Sequence, residues 1–498
     1  MNAQQSKKIY FEAKLLEYDE EVMPDVEQYS GNVIFRHAGA VGYADKAYHY
    51  RGENMLRAFG DPVKVHINDS VTLFGQYIIY DGNTRTISIV QNVILKDNRA
   101  SLYTDSLIYD LNDDMGYYLT GGKIVSDSSI LTSRWGYYHT NTHMADLYDS
   151  VLLLNHAKAL TVSCQSSSYN TETEVIYFTS RTHLISSENQ IFTDGGWFDT
   201  RHNLSTLVGH AELFNKQQNL KGDSLYYDID YHFGKGWNHA ILSDSVNHFV
   251  VAGNYIEYKD SAYAYVTDSA LAIMIDEGDS LFLHADTLWL LMDTSSQMTY
   301  CYAYHHTKFY RQDVQGACDS MVYIAADSTI TMFYNPVMWN NETQMLADTI
   351  RFTLLDSVNI DVDLIKSAFI ASAIFDTSEF NQIKGLNIHG RIIGQELKWV
   401  EVVGNAECLY FIQEEDSSLV GINSTLASEM TITLDSNEIE SIIFYNAPDG
   451  KVYPDSELPT MERRIRGFCW LDFYRPKNRF DIFCNPVERV RLVDKNNE

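Results

Sequence analysis

The sequence predicts an all-β fold built from repeats. Three observations predict it: a composition weighted toward strand formers, a recurring Asp-Ser/Thr phrase, and turn signals between short alternating segments. The 498 residues include 34 Tyr and 23 Phe against 8 Pro, and 45% are hydrophobic. Tyr, Phe, Ile, Val and Thr suit a pleated, half-buried surface. Long Ala/Leu/Glu/Lys stretches of helical type are almost absent. At about 150 residues per domain the length allows roughly three domains.

The phrase runs small residue, Asp, Ser or Thr, apolar residue, any residue, then often an aromatic. It reads Thr104-Asp105-Ser106-Leu107-Ile108-Tyr109, then Gly222-Asp223-Ser224-Leu225-Tyr226-Tyr227. It returns as Ala285-Asp286-Thr287-Leu288-Trp289 and Ala347-Asp348-Thr349-Ile350-Arg351-Phe352. Looser copies begin at Asp69, Asp127, Asp149, Asp244, Asp268 and Asp327. Asp105, Asp127 and Asp149 lie 22 residues apart, Asp223, Asp244 and Asp268 lie 21 and 24 apart, and Asp327 and Asp348 lie 21 apart. A fixed period of this size marks stacked repeats. Units of about 20–24 residues leave room for two or three short strands each.

Within a unit the strand alternates, so Leu107 and Tyr109 share one face while Ser106 and Ile108 share the other. Between units come turn signals: Asp81-Gly82-Asn83, Asn112-Asp113-Asp114, Gly121-Gly122, Asp194-Gly195-Gly196 and Glu277-Gly278-Asp279. Short strands with such punctuation argue for a sandwich, barrel or solenoid. The Asp-Ser/Thr pair has a structural reading: a short polar side chain bonds a backbone N–H where a strand begins after a turn. A calcium ladder is the rival, but the Gly-rich nonapeptide of calcium-binding β-rolls is missing. The period lapses near 376–384. Residues 450–459, close to Pro448 and including Pro454 and Pro459, read as an exposed linker.

Charge and cysteines exclude several function classes. Net charge is −30, from 37 basic and 67 acidic residues. Nucleic acid is disfavoured as a partner, because phosphate binding needs clustered Lys and Arg, and a broadly anionic membrane surface is disfavoured for the same reason. The positive residues concentrate between Arg463 and Arg491, including Arg464, Arg466 and Arg475. None of Cys164, Cys301, Cys318, Cys408, Cys469 and Cys484 forms a CxxC pair. Cys469 and Cys484 could pair in an oxidising compartment, while the reading favoured for all six is small buried hydrophobes. No run of 18 apolar residues is present to cross a bilayer as a helix. The start, Met1 to Ser6, has no apolar signal region. It reads either as cytosolic or as a mature chain after removal of a signal peptide.

No catalytic or metal site emerges. Walker, GxGxxG, HExxH and GxSxG motifs are absent, and Gly234-Lys235-Gly236-Trp237 is too short and bulky to cradle a phosphate. Asp110 to Gly116 begins like an EF-hand loop, but the Gly is one place late and position twelve is Gly121 instead of Glu. His139 and His143 fall on one face of a strand, and His305 and His306 point to opposite faces; neither pair has a third ligand nearby. Carboxylates are so abundant that no acid–base pair can be singled out.

Several segments resemble the OstA-like (LptA-like) family. Ser30-Gly31-Asn32-Val33-Ile34-Phe35-Arg36-His37 followed by Tyr43-Ala44-Asp45-Lys46-Ala47-Tyr48 is similar to that family's opening. Ala58-Phe59-Gly60-Asp61-Pro62-Val63, Phe74 to Asp81 and Leu102 to Asp110 continue it. A weaker copy starts at Gly404-Asn405-Ala406-Glu407-Cys408. Arg466-Gly467-Phe468-Cys469-Trp470 with Arg475-Pro476-Lys477 resembles the ending of long members from Bacteroidetes-type bacteria. The resemblance implies a stacked β-jellyroll of open, V-shaped strand layers in the periplasm. It implies a role in lipopolysaccharide transport to the outer membrane through an apolar interior, with no catalytic residue, metal or cofactor. It implies partner jellyroll proteins that add strands at open edges. On it the chain divides into a lead (1–24), three OstA-like segments (25–215, 216–380, 381–450) and a Pro/Arg/aromatic ending (451–498). The residues expected to face inward and meet lipid are Leu107, Tyr109, Leu225, Tyr227, Leu288, Ile350 and Phe352. The alternative is a structural or partner-binding module of the envelope with a fully packed core; a β-helix enzyme acting on polysaccharide ranks third.

Overall fold

Alternating apolar residues with few helix formers leave this chain one way to bury its inner face, which is strand upon strand. The computed structural model describes residues 8–215, 217–275, 280–356, 358–374, 378–394, 396–414, 418–435, 438–446 and 448–483. Among them are 36 strands and no α-helix. The registered strand pairs are antiparallel, most of them between sequence neighbours. No described helix is long and apolar enough to cross a membrane. Two compact units divide the chain at Met1–His232 and Phe233–Glu498.

In each unit the typical strand has about eleven residues and is bent at its middle. Ala100–Asp110, Gln218–Asp228 and Phe249–Lys259 are examples. On most alternate long strands the bend is a two-residue bulge with left-handed backbone, whereas Met55–Ile67 bends at Gly60-Asp61-Pro62. Such pairs are Gly31-Asn32, Gln91-Asn92, Asp149-Ser150, Gly209-His210, Asn238-His239, Asp268-Ser269, His305-His306, Lys366-Ser367 and Gly404-Asn405. Each pair breaks the register, as between Val90 and Val93 or Thr267 and Ala270. A bulge of this kind bends its strand and sharpens its twist. Gly, Asn, Asp and His dominate these positions because short or locally bonding side chains tolerate positive φ best. Each long strand thus has two arms that meet at a corner, while short strands such as Met115–Tyr118 and Gly122–Ser126 each lie in one arm.

The corner corrects two expectations. The Asp-Ser/Thr pair does not mark a strand entrance in most copies. Asp105 and Asp223 sit mid-strand, opposite the bulges Gln91-Asn92 and Gly209-His210, while Asp149, Asp268 and Asp286 lie at corners too. Asp127, Asp244 and Asp327 sit at or beside tips. The 21–24-residue spacing therefore counts from corner to tip, about one and a half strands. The bulges themselves recur more slowly, with Gly209, Asn238 and Asp268 following at 29 and 30 residues. The structural repeat is this two-strand unit, because only alternate strands carry the extra residue.

Candidate functional site: the interior between the arms

The inner layer is built from alternate residues of both arms. In the first unit it includes Phe35, Val65, Leu73, Ile78, Ile89, Leu95, Leu107, Tyr109, Leu147, Leu153, Leu225 and Tyr227, all nearly inaccessible. In the second it includes Leu242, Val251, Ile256, Val266, Leu288, Met332 and Ile350. Of the residues expected inside, Leu107, Tyr109, Leu225, Tyr227, Leu288 and Ile350 are 0–2% exposed, and Phe352 is half-buried. Ser106 and Ser224 are half-exposed on the other face.

Side chains of the two arms pack against each other. One interior cavity, lined by Phe35, His37, Ala40 and Val65 from one arm and Ile78, Tyr80 and Ile87 from the other, holds about 10 Å³. That is space for about one water. Glycines let side chains of the facing arm come close. A Cβ at Gly116 would lie 2.8 Å from Leu95 Cδ1, and one at Gly253 would lie 2.7 Å from Val266 Cγ1.

What closes the space between the tips is polar. In the first unit Asp97, at the tip of one arm, accepts a hydrogen bond from the Tyr138 hydroxyl (2.6 Å) and contacts His143 Nδ1 (3.1 Å) at the tip of the other. Arg99 reaches Glu172 (2.8 Å), Ser128 donates to Glu174 (3.0 Å), and Lys158 donates to the Arg201 carbonyl (2.8 Å). His37 bonds the Tyr80 hydroxyl across the same gap. In the second unit Asn247 donates to the Ser296 carbonyl (2.7 Å). Buried Tyr80, Tyr109 and Tyr138 line the inner side of the tips, and Tyr118 lies near a corner, its hydroxyl 2.6 Å from Ser133 Oγ. Burial pushes the phenols of Tyr80, Tyr109 and Tyr118 up to about 12, and that of Tyr138 up further with help from Asp97. The layer is therefore apolar at its centre and hydrogen-bonded along its mouth.

The histidine pairs read differently in three dimensions. His139 ends the strand Trp135–His139 and His143 lies in the following turn, so they share no strand face. Thr140 makes the last ladder bond, to the Asp114 carbonyl at 2.9 Å, and the turn follows it. His305 and His306 form a corner bulge, His305 contacting Asp319 (3.2 Å) and His306 contacting Asp286 (2.8 Å). His210 does the same with Asp194 (2.7 Å). Among the described residues no group of His, Cys, Asp and Glu is arranged to hold a metal.

The ending is not a loose tail over its described part, and residues 484–498, with Cys484 and its proposed pairing, lie outside the described residues. In the second unit, residues 458–483 cross the outer face of one arm. Directly opposed residues on that face form the row Gln315, Trp339, Gln344, Ala371, Gln382. Gln344 donates to the Cys469 carbonyl and accepts from the Leu471 N–H, both at 2.7 Å. Gln382 grips the Arg463 carbonyl (2.9 Å) and the Ile465 N–H (2.8 Å) in the same way. Gln315 accepts from Arg475 Nε at 2.7 Å. The Gln344 and Gln382 amides thus substitute for a strand's backbone, while Gln315 holds the ending by a side chain. Between these grips Trp339, Leu346, Phe369 and Phe380 pack against Ile465, Phe468, Trp470 and Leu471. Sequence reasoning missed this row, because it exists only once five strands are in register.

Another missed signal was present in the sequence. On strands without the bulge the inward set changes parity at the corner. Leu160 and Val162 are followed by Ser167 and Tyr169, and Leu283 and Ala285 by Leu288 and Leu290.

Residues 6–163 match the model of the OstA-like protein family. No curated protein sequence matches the chain. Among solved structures, LptH of Pseudomonas aeruginosa is similar at 14% identity; it is described as the LptA-homologous periplasmic component of the lipopolysaccharide transport device. That similarity covers 21% of this chain and 76% of LptH, with a TM-score of 0.19. Residues 6–163 are thus an OstA-like segment.

Proposed function

We propose that this OstA-like chain is a non-catalytic lipopolysaccharide carrier of the periplasm, which takes acyl chains between its two arms. One observation carries the reading: an apolar layer whose mouth is held by separate polar contacts instead of covalent or continuous strand closure. A site for an apolar ligand needs on the order of 300 Å³, far more than the cavity present, so loading requires the arms to part. Burying a twelve-carbon chain at about 0.8 kcal/mol per methylene supplies about 10 kcal/mol. Each parted hydrogen bond costs about 1 kcal/mol net. Lipid burial can therefore offset the opening of several tip contacts. The open sheet edges, at Tyr10–Glu12 and Leu15–Tyr18 and at Asp449–Tyr453, suit strand addition by other jellyroll transport proteins.

The tight packing between the arms favours a second reading, a structural envelope module whose core never opens. Photo-crosslinking separates the two. A photoreactive residue at Leu107, Tyr109, Leu225, Tyr227, Leu288, Ile350 or Phe352 is expected to capture lipopolysaccharide, whereas one at Ser106 or Ser224 is not. Capture only from the two serines, or from none, supports the packed module.

A further inference from the structure

The described ending carries a charge and surface unlike the rest of the chain. Six of residues 463–479 are Arg or Lys and one, Asp472, is acidic, within a protein of net charge −30. The two short 3-10 turns Asp472–Tyr474 and Asp481–Phe483 flank Lys477, which donates from Nζ to Asp472 (2.6 Å) and from its backbone N–H to Asp481 (2.9 Å). This ties the turns into one wedge. The wedge is fixed from beneath: Leu471, Pro476 and Ile482 are buried, and Arg475 is held by Gln315 and the Asn341 carbonyl. Its outward side presents Phe473 and Phe480, exposed by 76% and 65%, while Phe483 packs on the His284 ring at 4.6 Å. Arg479 lies over the Phe480 ring at 4.9 Å, and Lys477 and Arg466 are exposed.

We propose that this wedge docks on an anionic lipid bilayer surface. Two aromatic rings held outward on anchored turns, Phe473 and Phe480, suit an apolar medium, and the exposed basic residues beside them suit anionic headgroups; an interface supplies both within a few ångströms. A soluble polyanion would satisfy the cations and leave the rings in water. The remaining surface is strongly acidic and repelled by such a bilayer, so the wedge also sets which side of the chain approaches. This docking does not depend on acyl chains entering between the arms.

The test uses the full chain and vesicles of phosphatidylcholine with or without phosphatidylglycerol. Wild type is expected to sediment with the anionic vesicles, release at high salt, and bind neutral vesicles at least about tenfold more weakly. Phe473→Ser with Phe480→Ser, and separately Arg466→Glu with Arg479→Glu, should each weaken anionic binding about tenfold or more. A dye on Asn478→Cys should shift to the blue on adding anionic vesicles, which reports docking even where a variant folds poorly. Equal binding to both vesicle types, no dye shift, or a Phe double variant that binds like wild type would overturn the proposal. So would capture of heparin that the Phe substitutions leave unchanged while vesicles are ignored.

Discussion

Asp97 is where the closure of the arms can be tested most directly. Its carboxylate is buried, and its Oδ1 accepts the N–H groups of Arg99 and Ala100, both at 2.7 Å. Its Oδ2 takes the Tyr138 hydroxyl and faces His143. Asp97→Ala removes a turn cap worth about 1 kcal/mol and a charge-assisted bond worth about 2 kcal/mol. Tyr138 keeps a second partner in Thr171 at 3.1 Å, so its hydroxyl is not orphaned and the sum stays at about 3 kcal/mol. For a unit of this size that lowers the melting temperature by about 6–12 °C. Asp97→Asn retains the cap and should lose about half as much. Thermal unfolding followed by circular dichroism measures both, and hydrogen exchange should show the tips at 97–100 and 138–143 opening first. The Asp97→Asn and Tyr138→Phe changes should be non-additive by about 1 kcal/mol. A melting point for Asp97→Ala within about 2 °C of wild type, or strict additivity, would refute the idea that this contact holds the arms together.

Four further outcomes are expected. Tyr80, Tyr109 and Tyr118, raised by burial to about 12, contribute stability that is full below the unfolded value near 10 and lost as pH rises through the folded one. Absorbance at alkaline pH should therefore show part of the tyrosine population ionising only with unfolding; smooth titration of all 34 near pH 10 contradicts this. The Arg391 guanidinium, bonded twice to Asp361 at 2.6 and 2.8 Å, holds that carboxyl below its ordinary value. The pair's stability is thus present at neutral pH and lost as pH falls through the depressed value, and solvent screening keeps it small. The melting-point gap between wild type and Arg391→Gln should shrink below about pH 4, and a gap that widens there is the contrary result. Gln344→Leu leaves the Cys469 carbonyl, the Leu471 N–H and the Trp339 indole N–H without their partner, at about 3 kcal/mol; proteolysis near 465–475 should speed up, and unchanged cleavage would show that the grip is incidental. Stapling Arg99→Cys to Glu172→Cys with a short bis-maleimide should abolish lipopolysaccharide capture at Leu107, and undiminished capture means that lipid does not enter by the tips.

How much of this was legible follows from the range of each interaction. Strand alternation is local and has period two, so the side of Leu107, Tyr109, Leu225 and Leu288 could be read directly. Phe352 was read by the same rule but is half-buried, because it lies near the tip, two residues from the end of Thr349–Leu354. The corners were half legible. Asp-Ser was visible as a recurring break, yet placing it mid-strand required noticing that Leu102 and Leu107, both inward, are five residues apart. The tip contacts join residues about 40 to 70 apart, and the glutamine grips join residues more than 80 apart. No local pattern records such distances. The basic ending stood out by charge alone, but its exposed phenylalanines could be told from core residues only after Leu471 and Ile482 took the buried places.

The two arms of the second unit are unequally free to move. The arm beneath the ending has a core on both faces: Cys318, Met338 and Met345 pack toward the interior, while Ala317, Trp339 and Phe369 pack outward under residues 465–471. Bending it would disturb both layers together, in an interior that responds to changes of a single methylene. The other arm is covered on its inner face only, and its outer face carries Trp237, Trp289 and Tyr304 partly open to water. If the arms part around a lipid, the cost of movement is therefore lower on the uncovered side, with the left-handed corner residues, already irregular in their pairing, as the hinge. The ending then has two roles from one placement: it stiffens the arm against which the other moves, and it turns its exposed phenylalanines and arginines away from the moving surface.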